Sequence, residues 1–217
     1  MTQHHVSEEF LLAYAAGDLD EATSLFVATH LALCPTCRKA VALAEDMGGG
    51  LVEDIAPVAM ADDALDHVLA RLDRPHEEVK KPMPAEYSGR PILPEPLRSR
   101  VGADVDGVSW SLIGPGVRQL RFEGLEGESS LRLLRIAGGT AVPEHGHTGD
   151  EMTLVLSGSF VDGADRFARG DVECADPSVV HRPVAEEGED CICLAVTSAP
   201  LKFFDLFGRL AQPFARI

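Results

Sequence analysis

The chain lacks any run approaching the roughly 18 consecutive apolar residues that a membrane-spanning helix requires. Its first ten residues hold two histidines and two glutamates where a secretory signal would carry a basic start and an apolar stretch, so export is not expected. Cysteine is scarce, with five in 217 residues. In the reducing, cytoplasmic setting that follows, those five point to metal binding or thiol chemistry rather than to a disulfide framework. Positive charge is scarcer still: 19 Lys and Arg stand against 35 Asp and Glu, for a net charge of −16. A phosphate backbone would repel such a chain, so direct nucleic-acid binding is not expected. The same charge suits a basic protein partner, or serves only solubility.

What is present is an ordinary globular composition, 45% apolar, long enough for two small domains. Residues 7–72 read as helical. Phe10, Leu11 and Tyr14 recur at helical spacing, and Gly17 supplies a stop. Asp18, three residues before Glu21, resembles a capping box opening a second helix that ends near Leu33. Pro35 then sits where a third helix would begin, to be closed by Gly48, Gly49 and Gly50. Asp62 or Asp63 would cap a fourth, in which Leu65, Val68, Leu69 and Leu72 make one apolar stripe. Six prolines between Pro75 and Pro96 predict a semi-extended linker between two separable units. Beyond Val105 short apolar runs alternate with Gly, Pro and Asp; 131–136, 151–156 and 191–196 read as strands of a sandwich or barrel. The expected division is a helical domain over 1–74, a linker over 75–97 and a β domain over 98–217.

Two groups of residues carry metal chemistry. His30, Cys34 and Cys37 form H-x3-C-x2-C, with His4 and His5 upstream. His30 falls on the last turn of the second helix and the cysteines bracket the first turn of the third, so an upstream imidazole can meet them where two helix ends converge. His5 directly precedes the first helical turn. Two imidazoles and two thiolates are a closed tetrahedral set of the kind that holds structural zinc, and soft thiolates argue against magnesium or calcium. The bland alternative is a pair of buried cysteines with scattered histidines.

The second group is Gly139-x5-His145-x-His147-x3-Glu151-x6-Gly158, which matches the first cupin motif at every fixed position. His145 and His147 alternate and so point to one side, and Glu151 opens the next strand. His181, past Pro177, is placed to complete the set, although the second cupin motif is imperfect there: Pro-x-Gly has become Pro177-Ser178-Val179. Such ligands suit zinc or another divalent transition metal. Glu144 and Glu173 read as surface positions and Trp110 is the barrel's only tryptophan, so a regulatory cupin is expected over a dioxygenase or isomerase. Cys191 and Cys193 share one strand face, where a strained disulfide, a thiol sensor and an inert buried pair are all compatible with the spacing; the apolar run around them favours inert thiols. Cys174 reads as structural, and His67, off the apolar stripe, as solvated.

The segment HHVSEEFLLAYAAGDLD…ATHLALCPTCRKA resembles the zinc-binding anti-sigma module, and within that group the ChrR type, in which a cupin domain follows. The resemblance extends to the closing LKFFDLFGRLAQPFARI. It implies zinc on His5, His30, Cys34 and Cys37. It also implies an extracytoplasmic-function sigma factor as partner, withheld from core RNA polymerase and released under singlet oxygen and related oxidants. The stripe of Leu65, Val68, Leu69 and Leu72, and four basic against thirteen acidic residues over 1–75, suit such a partner; completing a four-helix bundle is the stripe's other use.

Overall fold

A computed structural model describes residues 2–72 and 90–204. Four helices come first: α1 (Glu8–Ala16), α2 (Glu21–Leu33), α3 (Pro35–Glu53) and α4 (Ala64–Leu72). Gly17 ends α1 in the left-handed region, at φ 73°, where its N–H reaches the carbonyls of Ala13 and Tyr14. The cap of α2 is Asp20, whose carboxylate accepts the Thr23 N–H, and not the expected Asp18. Asp20 wins because its second oxygen accepts the Ser129 N–H at 3.0 Å, tying the helix start to the β domain. Gly127 makes this approach possible: a Cβ there would lie 2.5 Å from Asp20 Cβ. Pro35 opens α3 as expected, but the three glycines do not close it. They remain helical, and the helix runs on to Glu53. Gly48–Gly50 meet nothing within 4 Å, so this half of α3 is carried by its own backbone bonds rather than by packing.

The linker expected over 75–97 falls largely outside the described residues. Its last part is folded: α5 spans Glu95–Val101, with Leu93 and Leu97 fully buried. Pro94 and Pro96 fit there because the first turn of a helix needs no N–H from them.

Among the described residues, twelve antiparallel strands follow: β1 (Ser111–Gly114), β2 (Val117–Arg121), β3 (Ser130–Ile136), β4 (His145–Gly146), β5 (Glu151–Ser157), β6 (Ser159–Asp162), β7 (Asp165–Ala168), β8 (Val172–Ala175), β9 (Val180–His181), β10 (Val184–Ala185), β11 (Cys191–Thr197) and β12 (Lys202–Phe203). One six-stranded sheet has the order β1-β2-β3-β11-β5-β8, and two three-stranded sheets, β10-β6-β7 and β12-β4-β9, complete the cupin barrel.

The large sheet is buried on both faces, so every residue of β11 and most of β5 are buried rather than alternate ones, and β11 reads as a nearly continuous apolar run. Leu131, Leu133, Leu154, Leu156, Leu194 and Val196 turn outward and share one core with Phe26, Val27 and Leu31 of α2. Phe160, Phe167, Cys191 and Cys193 form a second core on the barrel side. α1, α2, the start of α3 and α5 therefore share one core with the outer face of the large sheet. Among the described residues no helix is long and apolar enough to cross a membrane.

Candidate metal centres

The first centre lies where α2 ends and α3 begins. Cys34 is at once the last cap of α2 and the first of α3, and its Sγ accepts the Cys37 N–H at 3.5 Å. His30, one turn earlier on α2, is fully buried. The segment before α1 is held against the barrel: the Val172 N–H of β8 donates to the His4 carbonyl, while Gln3 and His4 N–H groups donate to Asp171. That docking turns the two histidines to opposite uses. His4 packs on Phe167, with ring centroids 4.5 Å apart, and His5 faces the thiols.

His5 Nδ1 lies 3.3 Å from Cys34 Sγ and 3.5 Å from Cys37 Sγ. One ligand atom from each of His5, His30, Cys34 and Cys37 falls within 4.8 Å of every other. A tetrahedral ion with N ligands at about 2.1 Å and S ligands at about 2.3 Å would space adjacent N and S atoms about 3.6 Å apart. Neither ring nitrogen of His30 has a hydrogen bond of ordinary geometry, although the Gly170 backbone is near enough to draw its pKa upward. Burial, then the neighbouring His5, push that pKa down to about 4, so His30 is a neutral imidazole with a lone pair to offer. Burial and the adjacent Cys34 push the Cys37 thiol up to about 12. Two crowded sulfurs and an orphaned buried imidazole fit a thiophilic cation.

The second centre lies inside the barrel. β4 carries His145, β9 pairs His181 directly opposite it, and β5 begins with Glu151. His147 follows β4 on the same side. His181 Nε2 stands 3.0 Å from His145 Nε2 and 3.2 Å from His147 Nε2, and Glu151 Oε2 lies 3.2 Å from His147 Nδ1 and 3.6 Å from His145 Nε2.

The tautomers follow from the outer contacts. His145 Nδ1 faces the Pro143 carbonyl at 2.9 Å, and His181 Nδ1 faces Asp162 Oδ2 at 3.0 Å. Both partners only accept, so each Nδ1 carries the proton and each Nε2 presents a lone pair. Two lone pairs 3.0 Å apart, beside a carboxylate, repel unless a cation stands among them. Burial lowers the His147 pKa, opposed by Glu151, which disfavours a proton in that role. The arrangement fits a metal ion bound by His145, His147, Glu151 and His181.

Two residues at this centre were not foreseen. Glu173, read as a surface position, is buried and lies 3.5 Å from His181 Nδ1. Burial raises its pKa, against the pull of His181. Asp162 is the last residue of β6 and carries no motif signal at all. Burial works to lower the His181 pKa, but Glu173, then Glu151 and Asp162, draw it up. Glu173 had one legible signal: it alternates with Asp171 and Ala175 along a strand whose inner face is the barrel interior.

Other expected positions lie outside both centres. His67 is solvated, 3.8 Å from Asp63. Leu65, Val68, Leu69 and Leu72 are exposed, and no residue of α4 is buried, so α4 completes no bundle. Cys174 is exposed, while Cys191 and Cys193 are buried free thiols. Cys191 and burial together raise the Cys193 pKa far above its ordinary value, leaving it a poor nucleophile in this state.

Comparison with known proteins gives concordant results. A family model described as the ChrR cupin-like domain matches residues 98–200, and a zinc-finger family model matches residues 7–38. The anti-sigma-E factor ChrR of Cereibacter sphaeroides is 50% identical over 215 residues, covering 99% of both chains. The crystal structure of Rhodobacter sphaeroides SigE in complex with the anti-sigma ChrR superposes with a TM-score of 0.80 at 48% identity, over 91% of this chain and 99% of that one.

Proposed function

The chain belongs to the ChrR family of anti-sigma factors, and from that premise we propose that it is a cytoplasmic regulator, not an enzyme, that binds an extracytoplasmic-function sigma factor and keeps it from RNA polymerase. The observation that carries this reading is the apolar ridge left uncovered beyond the first metal centre. Leu43, Met47 and Leu51 follow one another at four-residue spacing on α3 and are 62%, 68% and 72% exposed. Leu65, Val68, Leu69 and Leu72 add a second exposed face on α4. Contiguous apolar surface of this kind marks a docking site, and amphipathic helices dock through such stripes. The excess of acid over base in residues 1–75 suits a basic partner.

Zinc on His5, His30, Cys34 and Cys37 gives this ridge a rigid base. It would fasten the N-terminal segment, the end of α2 and the start of α3, whose far end carries the ridge. In this reading the helical module covers 1–74 and the cupin domain 98–217, joined through 75–97, whose last residues fold into the start of α5, with zinc or another divalent transition ion on His145, His147, Glu151 and His181. Such an ion supplies a fixed positive charge; the side chains themselves set its surroundings, with Asp162 and Glu173 holding the Nδ1 proton of His181.

We assign to the cupin domain the release of the sigma factor under oxidants such as singlet oxygen. Support comes from the two faces of one sheet: Glu151 points into the barrel, and Met152 beside it packs in the core shared with α2. A change in the ligand set would reach α2 through β5 without passing through solvent.

The test uses the full-length, zinc-loaded chain and the sigma factors of its host. Titration calorimetry should give a one-to-one complex that Leu69→Ser with Leu72→Ser weakens at least a hundredfold, as loss of central apolar anchors does. Photosensitised singlet oxygen should dissociate the wild-type complex but not the His145→Ala complex. A folded, zinc-loaded chain that binds no sigma factor would sink the proposal.

A further inference from the structure

The distal half of α3 and the whole of α4 lack the packing that keeps a helix folded. Gly48, Gly49 and Gly50 occupy consecutive helical positions, and a Cβ at any of them would meet nothing within 4 Å. Glycine makes a helical position about fivefold less favourable than alanine, so three in a row weaken the turn that follows them. That turn ends at Glu53, and no residue of α3 beyond Val41 is buried. α4 has 9 residues, none of them buried. Helix nucleation is unfavourable by about a thousandfold and each further residue gains at most about 1.6-fold, so a helix of that length without packing is populated only about 3% of the time. Local support is slight: the Asp63–His67 pair is 3.8 Å apart, with both side chains largely in water.

The stabilising contacts must therefore come from outside the chain. Ile55, Val58 and Met60, between the two helices, are as exposed as Leu51 before them and Leu65, Val68, Leu69 and Leu72 after them. Glu53, Asp54, Asp62, Asp63 and Asp66 stand among these apolar side chains, with Arg71 the one Lys or Arg in residues 48–72. Apolar side chains set among acidic ones suit a partner whose own surface is apolar with basic groups around it.

We propose that residues 48–72 fold on binding: the end of α3 and all of α4 are held helical by the sigma factor and not by the rest of this chain. The inference rests on the sigma reading above. The measured affinity is then the affinity of the folded segment reduced by the fraction of free chain in which that segment is helical. A site governed in this way is weakened by anything that lowers its helical population, with no contact to the sigma factor altered.

Hydrogen exchange of the full-length, zinc-loaded chain, alone and with its sigma factor, tests this. Alone, the amides of residues 51–53 and 68–72 should exchange within about tenfold of the rate of an unfolded peptide, while those of Phe26 and Val27 stay protected; in the complex both stretches should slow about a hundredfold or more. Substitutions away from the ridge separate folding from contact. At 100° per residue Gly48 and Gly49 lie beside and opposite the Leu43–Met47–Leu51 row, and Ala70 lies across α4 from its stripe. Gly48→Ala with Gly49→Ala should tighten calorimetric affinity about fivefold or more, and Ala70→Gly should weaken it about fivefold. Residues 68–72 protected like α2 in the free chain, a complex in which both stretches still exchange freely, or an affinity that neither variant moves would each overturn the inference and leave the sigma reading standing. A zinc-loaded chain that binds no sigma factor overturns that reading, and this inference with it.

Discussion

Replacing Asp171 by alanine is expected to unfasten the N-terminal segment from the barrel. The carboxylate is 5% exposed and accepts three backbone N–H groups, from Gln3 at 2.6 Å, His4 at 3.1 Å and Ala168 at 3.0 Å. Hydrogen bonds to a charged acceptor contribute about 1.5–3 kcal/mol each, and donors that can turn to water recover part of that. Two of the three lie in the partly accessible N-terminal segment, so a net loss of about 3 kcal/mol is expected. In a chain of this length each kcal/mol moves the melting temperature by about 2–4 °C, giving a fall of roughly 6–12 °C. Hydrogen exchange should show where the loss falls: the amides of Gln3, His4 and Val172 should exchange faster, with those of β3 and β11 changed least. Because His5 adjoins this segment, a chelator should also strip metal faster from the first centre. Burial works to raise the Asp171 pKa, but the N–H groups of Ala168, Gln3 and His4, with the His4 ring, hold it below the ordinary 3.8. A carboxyl depressed by folding contributes its stability above the unfolded pKa and loses it as pH falls through the folded one. The latch should thus hold at neutral pH and weaken only below about pH 3.8. Unchanged exchange at residues 3, 4 and 172 together with an unchanged melting temperature would refute the reasoning.

Phe26→Ala, at a fully buried position, should cost about 3–5 kcal/mol and lower the melting of helices and barrel together, because they share one core; two independent calorimetric transitions would contradict that. Zinc affinity of the first centre should rise with pH, since both thiols must lose protons to bind and Cys37 holds its proton up to about 12 without metal. Proton release on zinc addition in weak buffer reads this directly, and its absence would speak against thiolate ligation. Asp162→Asn with Glu173→Gln should weaken metal retention at the cupin centre about 10–100-fold in chelator competition, as loss of outer partners of a ligating histidine does. Retention equal to wild type would show that His181 needs no carboxylate clamp.

Much of this protein is written in local pattern. Gly17, Pro35 and the H-x3-C-x2-C spacing act over one or two helical turns, so the ends of α1 and α2 and the placement of His30, Cys34 and Cys37 follow from the residues themselves. The first cupin motif does the same for His145, His147 and Glu151, because strand alternation and a short turn leave those side chains little choice. Where backbone geometry decides, sequence suffices.

Where a distant neighbour decides, it does not. Asp20 displaces Asp18 as a cap because Ser129, more than a hundred residues away, supplies a second donor. Gly48–Gly50 look like a helix stop, each costing about 1 kcal/mol relative to alanine, yet α3 continues through them to Glu53 with no packing contact that accounts for it. His5 and His4 differ only because β8 takes the backbone between them. Glu173 and Asp162 become partners of His181 only because strands of three different sheets meet inside the barrel, and the two-faced burial of β5 and β11 exists only once α2 covers the outer side. Local spacing determined which ligands each centre could use; tertiary contact alone decided that β8 of the large sheet holds the segment carrying His5 while β5 of the same sheet presents Glu151, since burial and long-range hydrogen bonding have no signature in the order of residues.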